Sequence, residues 1–497
     1  MLKPVSSRHW NYDAAAHLLN RAGFGGPPDE IKKLAALSPE AAVAHFVDYD
    51  DIPDNTPNPA WAQPNPDEVR KYQQARKTAT PEELRKLQQE ENRTQQQRLV
   101  ELRGWWLDRM LRGPRPLQEK MVLFWHGHFA TSVEKVRNPY FMWRQNDVFR
   151  RLATGNWLLL LTAVGKDPAM LLWLDQAQSR RQHPNENFAR EVMELFALGE
   201  GHYTEHDITE AARALTGWSF DFQRQEFIYR PFIHDDGDKT IFGHTGDFNG
   251  DDFMELIIAN PQSARFITAK LWEFFAGELP SPKLNDALAD EFRKGGNNFK
   301  PFLHTMFLSQ EFYDESVVRN QVKSPVQWLV GTARLLECEL PPPLVSFGII
   351  RSLGQDLFAP PNVKGWDGGM SWITTNTLLT RYNEASTLLT GTLEPLSAGD
   401  FARRAGGQGG EAVKRLAERV ERIRFGGVNI GKIVTPEERA DKPALAAMLQ
   451  HRLLQATLKP DKQKALREFL DSKPQLSDAD ILTAIRLIMA TPEYQIA

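Results

Sequence analysis

Cysteine is almost missing from this 497-residue sequence, with Cys338 the single instance. One thiol cannot close an intramolecular disulfide, and its isolation argues against zinc–thiolate and iron–sulfur centres. Long apolar runs are missing as well. Nowhere do about 18 apolar residues follow one another, so no membrane span is expected. The opening MLKPVSSRHWNYDAAAHLL has no apolar stretch of signal-peptide length. A cytoplasmic location is therefore the expectation, with export as the alternative. Neither sign of charge prevails: 60 Lys and Arg against 64 Asp and Glu leave a formal charge of −4. That balance advertises neither nucleic acid nor a basic partner. The G-x-S-x-G elbow, the kinase set, the dinucleotide fingerprint and H-E-x-x-H are absent, so covalent serine or cysteine chemistry has no visible support.

What is present is ordinary in bulk and helical in pattern. The hydrophobic share is 41% and the charged share 25%, values of a globular protein. The length allows roughly two to four domains. Residues 11–23 carry one apolar helical stripe ended by Gly23, and a second helix starts near Pro28, which makes GFGG a joint between helices. The 52–66 stretch reads as a loop. A charged, solvated helical arm covers 67–104, with Thr80, Pro81 and Glu83 forming a helix start with a capping box. Strongly apolar helices follow from Pro116 to about 174. In EFIYRPFIHDDGDKTIFG, aromatic and β-branched residues flank a DDGD turn, which predicts a hairpin. Helices resume at 251–275, 283–294 and 299–313, and Ser324–Pro325 starts another. FKPFLHTMFLSQEFYDE near 299–315 is echoed by ILTAIRLIMATPEYQ near 481–495, each a helix ending in an aromatic–Glu plug. The expected fold is mainly α, a multi-helical globular array with one small β-hairpin near 226–243. A main helical domain over 1–395 and a smaller C-terminal helical subdomain over 396–497, entered through AGGQGG, are expected.

Candidate chemistry concentrates between His126 and His234. In FWHGHFATS, His126 and His128 flank a glycine. On a regular helix they point about 200° apart and cannot share one metal, whereas a break at Gly127 would bring them to one side. In NENFAREVMELF, a regular helix buries Phe188, Val192, Leu195 and Phe196 and sets Asn187, Glu191 and Glu194 in a stripe beside that face. Glu191 and Glu194 have the i, i+3 spacing of a chelating or acid–base pair. The bland alternative is a solvated ion-pair ladder of Glu186, Arg190 and Glu194.

Further along, Thr204 and Asp207 have capping-box spacing, and His202 and His206 lie beside them. His234 and Asp235 enter the hairpin turn, where Asp236 and Gly237 suit turn chemistry and Lys239 either faces an anion or, by default, is exposed. Asp247, Asn249 and Asp251 imitate the start of a calcium loop, but Asp252 and Ile258 stand where glycine and glutamate are required, so helix capping explains them better. In NVKGW, Lys364 and Trp366 could reach a pocket, against the default of a packed Pro/Trp loop.

Taken in order, AAHLLNRAGFGG, FWHGHFATS, NENFAREVMELFALGEGHYTEHDITEAARALTGW, HDDGDKTIFGHTG, ARFITAKLWEFF, KSPVQWLVG and LFAPPNVKGW resemble the bacterial family known as domain of unknown function 1800 (DUF 1800). The match covers most of residues 10–390. The resemblance implies a mostly helical protein and transfers no reaction or catalytic residue. It also implies a partner: members often appear beside sulfatase-like proteins of the domain of unknown function 1501 family. Many carry export signals, a feature this chain's opening lacks.

Two readings follow for the centre. The first is a metal-assisted enzyme, hydrolytic or oxidative. Its ligands to Zn, Fe, Mn or Cu would be His126, His128, Glu191 and His234, with Glu191 and Glu194 catalytic, Asp207 an alternative base or outer partner, and Asn187, Arg190, Lys364 and Trp366 binding substrate. The second is a non-catalytic helical scaffold or chaperone-like partner of a sulfatase-like protein. A metal-free carboxylate pair acting on carbohydrate ranks behind both, because neighbouring helix positions sit closer than most glycosidase pairs.

Overall fold

Proline sets the helix boundaries. Pro28, Pro39, Pro66, Pro81, Pro116, Pro139, Pro261, Pro282, Pro325 and Pro460 each open a helix at its first position, where the missing N–H has no intrahelical partner to lose and the fixed φ is already helical. In the computed structural model, which describes residues 2–392 and 424–497, the fold is mainly α with two small two-stranded sheets. The AGGQGG stretch expected to open the C-terminal subdomain lies outside the described residues.

The helix–turn–helix joint forms between Tyr12–Ala22 and Pro28–Ala35. The charged arm is two helices, Pro66–Thr78 and Pro81–Arg112, and the Thr80–Glu83 capping box is made in full. The second helix plunges from solvent into the core, where Leu102, Trp106, Leu107 and Met110 are buried. The 251–275 stretch is cut at Asn260–Pro261 into Gly250–Ala259 and Pro261–Ala276, because the proline starts a new helix. The echoed segments share a design. Phe299–Leu308 and Asp478–Met489 each run into a 3₁₀ turn that drives one fully buried ring, Phe312 or Tyr494, into the core. The contiguous apolar core extends from Leu2 to Tyr494.

The hairpin region pairs differently from the expectation. β1 (Trp218–Asp221) pairs antiparallel with β2 (Glu226–Tyr229), and β3 (Lys239–Ile241) with β4 (His244–Gly246). The strands flanking DDGD therefore do not pair with each other. The β3–β4 loop is Phe242–Gly243, both with positive φ, the two-residue geometry whose twist suits a tight hairpin. Lys239 is also not exposed: it is fully buried and pairs with Asp247 at 3.0 Å.

Candidate functional site

Three segments meet at the end of the Pro116–His128 helix: that helix end, the 186–197 helix, and the 357–369 loop. The first helix continues unbroken through Gly127 to His128, so the two imidazoles diverge as regular helical geometry requires. His126 is buried against Trp106, Phe358 and Trp366, with ring centroids 5.2–5.5 Å from its own. Its Nε2 accepts the Phe358 backbone N–H at 2.9 Å, which commits that lone pair and leaves the proton on Nδ1. His128 Nε2 lies 2.9 Å from the Phe196 carbonyl and must donate to it, since a carbonyl only accepts. One histidine thus fastens the 357–369 loop and the other fastens the 186–197 helix. Burial, aided by Arg103 beside His126, pulls the His126 imidazole down to about 3. Burial also pulls His128 down to about 3, against the opposing Phe196 bond and with Lys270 assisting.

Loop and helix end approach very closely. A Cβ on Gly365, whose φ is +82°, would stand 2.3 Å from the Gly127 carbonyl oxygen, so this position requires glycine. The same approach lays Trp366 on His126 and brings the Lys364 charge to bear on Glu191.

The Glu-bearing helix is not regular. It is α-helical over Glu186–Glu191 and becomes a π-helix over Val192–Ala197, with the Leu198 N–H reaching back to the Met193 carbonyl at 2.8 Å. The wider turn rotates the residues after Glu191. Phe188, Val192 and Phe196 are buried as expected, but Met193 is fully buried and Leu195 only partly. Single π-turns of this kind recur at functional sites. The ion-pair ladder does not form. Arg190 makes a bidentate pair with Glu205 at 2.8 Å for both bonds, Glu194 accepts the Tyr203 hydroxyl at 2.7 Å, and Glu186 accepts the Thr209 hydroxyl at 3.2 Å. Arg190 and Glu186 turn toward the next helix, Glu205–Ala214, and Glu194 toward the loop that leads into it, instead of along their own helix. Glu191 is half-buried and makes no such bond. Burial first, and then the Glu194 charge, raise its carboxyl above the ordinary range, with Lys364 and Arg190 opposing.

The other candidates stand apart from this junction. Asn187 is exposed in the first turn of its helix. Asp207 closes the capping box with Thr204 and also accepts the Phe242 N–H at 2.7 Å; His202 and His206 are exposed. His234 is buried, and its Nδ1 lies 2.8 Å from the Thr216 carbonyl, to which it donates. Asp235 makes a bidentate pair with Arg213 at 2.8 and 3.0 Å. Asn249 caps Gly250–Ala259 in a box with Asp252, as the capping explanation expects. Among the described residues, no three His, Cys, Asp or Glu side chains converge as a metal ion would require, and so no three of His126, His128, Glu191 and His234 do. Sequence reasoning missed Tyr203, although it lies within GHYTEHD, and missed Phe358 entirely: a backbone N–H carries no signal in a side-chain motif.

The His126 contact has a pH consequence. An exposed histidine takes up a proton near 6.5, whereas folded His126 resists it down to about 3. The unfolded chain therefore binds more protons below 6.5; the stabilisation is whole above that pH and is lost as pH falls. Acidification from pH 7 to 5 should cost about 2 kcal/mol through this residue. Urea unfolding of His126→Gln at both pH values should show that increment removed, and an undiminished increment refutes the assignment.

A search of curated proteins and a search of solved structures each found no match. A family model matches residues 17–496, essentially the whole chain. With its motifs placed in order along one helical fold, the chain belongs to the family described as Protein of unknown function (DUF1800).

Proposed function

We propose that the protein is a hydrolytic enzyme working by acid–base chemistry at the Glu191–Glu194 carboxylate pair. The observation that carries this reading is the unequal environment of two carboxyls one helical turn apart. Glu194 is held by the Tyr203 hydroxyl, whereas Glu191 is free of such a bond and its proton affinity is raised by burial and by Glu194. A pair driven apart in this way supplies a proton donor beside a fixed acceptor. Lys364 and the half-buried Trp366 stand on the facing loop, where they would hold an anionic or ring-bearing portion of a substrate. Arg190 and Tyr203 would position the pair.

A metal-assisted form of this reading, with His126, His128, Glu191 and His234 as ligands, would have to trade a backbone hydrogen bond for a metal bond at His126. His126 would release the Phe358 N–H, whereas His128 and His234 could keep donating to Phe196 and Thr216 and ligate through the other ring nitrogen. The metal-free form keeps the Phe358 segment fastened to His126 and is the one we carry forward.

The test is a panel of nitrophenyl esters, phosphates and glycosides, offered between pH 5 and 8 with and without chelator. Turnover should persist under chelation and fall about a hundredfold in Glu191→Gln. Unchanged turnover in that variant defeats the proposal. A panel with no turnover at all would favour a helical scaffold for a partner such as a sulfatase-like protein.

A further inference from the structure

A cavity whose lining includes neither Glu191 nor Glu194 stands apart from the glutamate pair. It has a volume of about 1060 Å³ and opens between the Tyr12–Ala22 helix, the 318–323 segment and the Lys442–Leu454 helix. Sites for small organic ligands commonly span roughly 300–1,000 Å³.

Its walls are of two kinds. Ala16, Leu335, Ala446, Leu453 and Ile496 give an apolar side. His17, Arg319 and Lys323 give a basic side, against which Asp13 at the exposed rim is the one acidic side chain in the lining. His17 is 4% exposed, and neither ring nitrogen makes a hydrogen bond of normal geometry, although the Phe312 backbone lies near enough to favour its proton. One turn on, Arg21 is fully buried. Its Nη2 donates to the Val317 carbonyl, to a terminal oxygen of Ala497 and to Asn320, all at 2.9 Å, while Nε and Nη1 have no partner. Lys323 gives its Nζ to the Tyr494 carbonyl at 2.8 Å and sits over the Tyr494 ring. No carboxylate side chain pairs with Lys323 among the described residues. Buried cations are ordinarily paired, and buried polar atoms are ordinarily bonded. Burial first, with Arg319 and Arg381 adding to it, pulls the Lys323 amine down to about 7, the behaviour of a cation lacking its counter-charge.

We propose that this cavity binds an organic acid, with its carboxylate received by His17, Lys323 and Arg319 and its apolar body laid along Ala16, Leu335, Ala446 and Leu453. Even a neutral imidazole keeps one N–H to donate, so His17 serves in either protonation state. The apolar wall selects an acid with a hydrocarbon body over a bare inorganic anion. The site is independent of the Glu191 centre.

The probe is sodium octanoate, titrated calorimetrically into the full chain beside octan-1-ol and inorganic phosphate. One octanoate per chain should bind with a Kd of about 0.1 mM or tighter, a modest efficiency for so small a ligand. Octanol and phosphate should each bind at least tenfold more weakly. Lys323→Met, which removes the charge, and Ala446→Phe, which fills the apolar side, should each weaken octanoate tenfold or more while circular dichroism shows intact helix. The two variants act from opposite walls, so failure of one to fold leaves the other decisive. Absence of octanoate binding, equal binding of octanol or of phosphate, or wild-type affinity in a folded variant would each overturn the proposal.

Discussion

Replacing Glu119 with glutamine is expected to destabilise the protein by about 3–5 kcal/mol, because it leaves buried charge uncompensated. Glu119 is 1% exposed on the Pro116–His128 helix. Its Oε1 accepts from Arg109 Nε and Arg150 Nε, both at 2.7 Å, and its Oε2 accepts from Arg150 Nη2 at 2.9 Å and Trp106 Nε1 at 3.0 Å. Burial opposes ionisation here, but Arg150 and Arg109 outweigh it and hold the carboxyl below its usual range. Glutamine keeps the shape, removes the charge and turns an NH₂ group toward two guanidiniums. The sign for pH follows. The stabilisation is present above the ordinary carboxylate range and is lost as pH falls through the depressed folded value. Urea unfolding at pH 7 measures the effect, and a loss below about 1 kcal/mol, the size of an exposed pair, would refute it. A second readout reaches the candidate site. Glu119 holds Trp106, and Trp106 packs on His126 at 5.3 Å, so the His126 imidazole should move back toward its ordinary titration in this variant when followed by NMR.

Asp167→Asn should act in the opposite direction and raise stability above neutral pH. Asp167 is buried before the Pro168–Trp173 helix, and its Oδ1 accepts from Ala169 N at 3.0 Å, Gln145 Nε2 at 3.2 Å and Met170 N at 3.4 Å. Oδ2 has no partner. Burial outweighs those bonds and the Arg144 charge and pushes the carboxyl up to about 7. An exposed aspartate releases its proton near 4, so folding takes up a proton between the two values. The advantage of the neutral carboxyl is whole below about 4 and fades as pH rises to 7. Above that, the buried carboxylate costs the fold on the order of 4 kcal/mol. Asparagine keeps the capping oxygen and cannot ionise. Its melting temperature should exceed that of the wild type at pH 8 and converge with it at pH 4; a gap of equal size at both values would defeat the assignment.

These two groups also mark the reach of the sequence. Glu119 and Lys120 stand out as charges inside LQEKMVLFWHGHF, yet nothing in that string names Arg150 or Gln327, the partners they find 31 and 207 residues away. The same limit applies at the candidate site. Helical periodicity left open whether Gly127 breaks the helix; the helix runs through it, and the Gly365 loop packs against its carbonyl from a distant part of the chain. NVKGW offered Lys364 and Trp366 either to a pocket or to a packed loop; the Lys364 charge acts on Glu191 and Trp366 packs on His126, partners the string does not name. The ladder of Glu186, Arg190 and Glu194 failed because Glu205, Tyr203 and Thr209 offered each member a better partner.

By itself, the sequence determined the helical class, the family, most helix starts, and the capping boxes at Thr80, Thr204 and Asn249. Those features depend on residues within about one turn of one another, and local chemistry is fully written in local sequence. Only the tertiary structure decided the strand pairing, the π-turn after Glu191, the backbone bonds that occupy His126 and His128, and the basic cavity beside His17. Each of these is a competition among partners brought together by packing, and a linear pattern does not rank partners it cannot place.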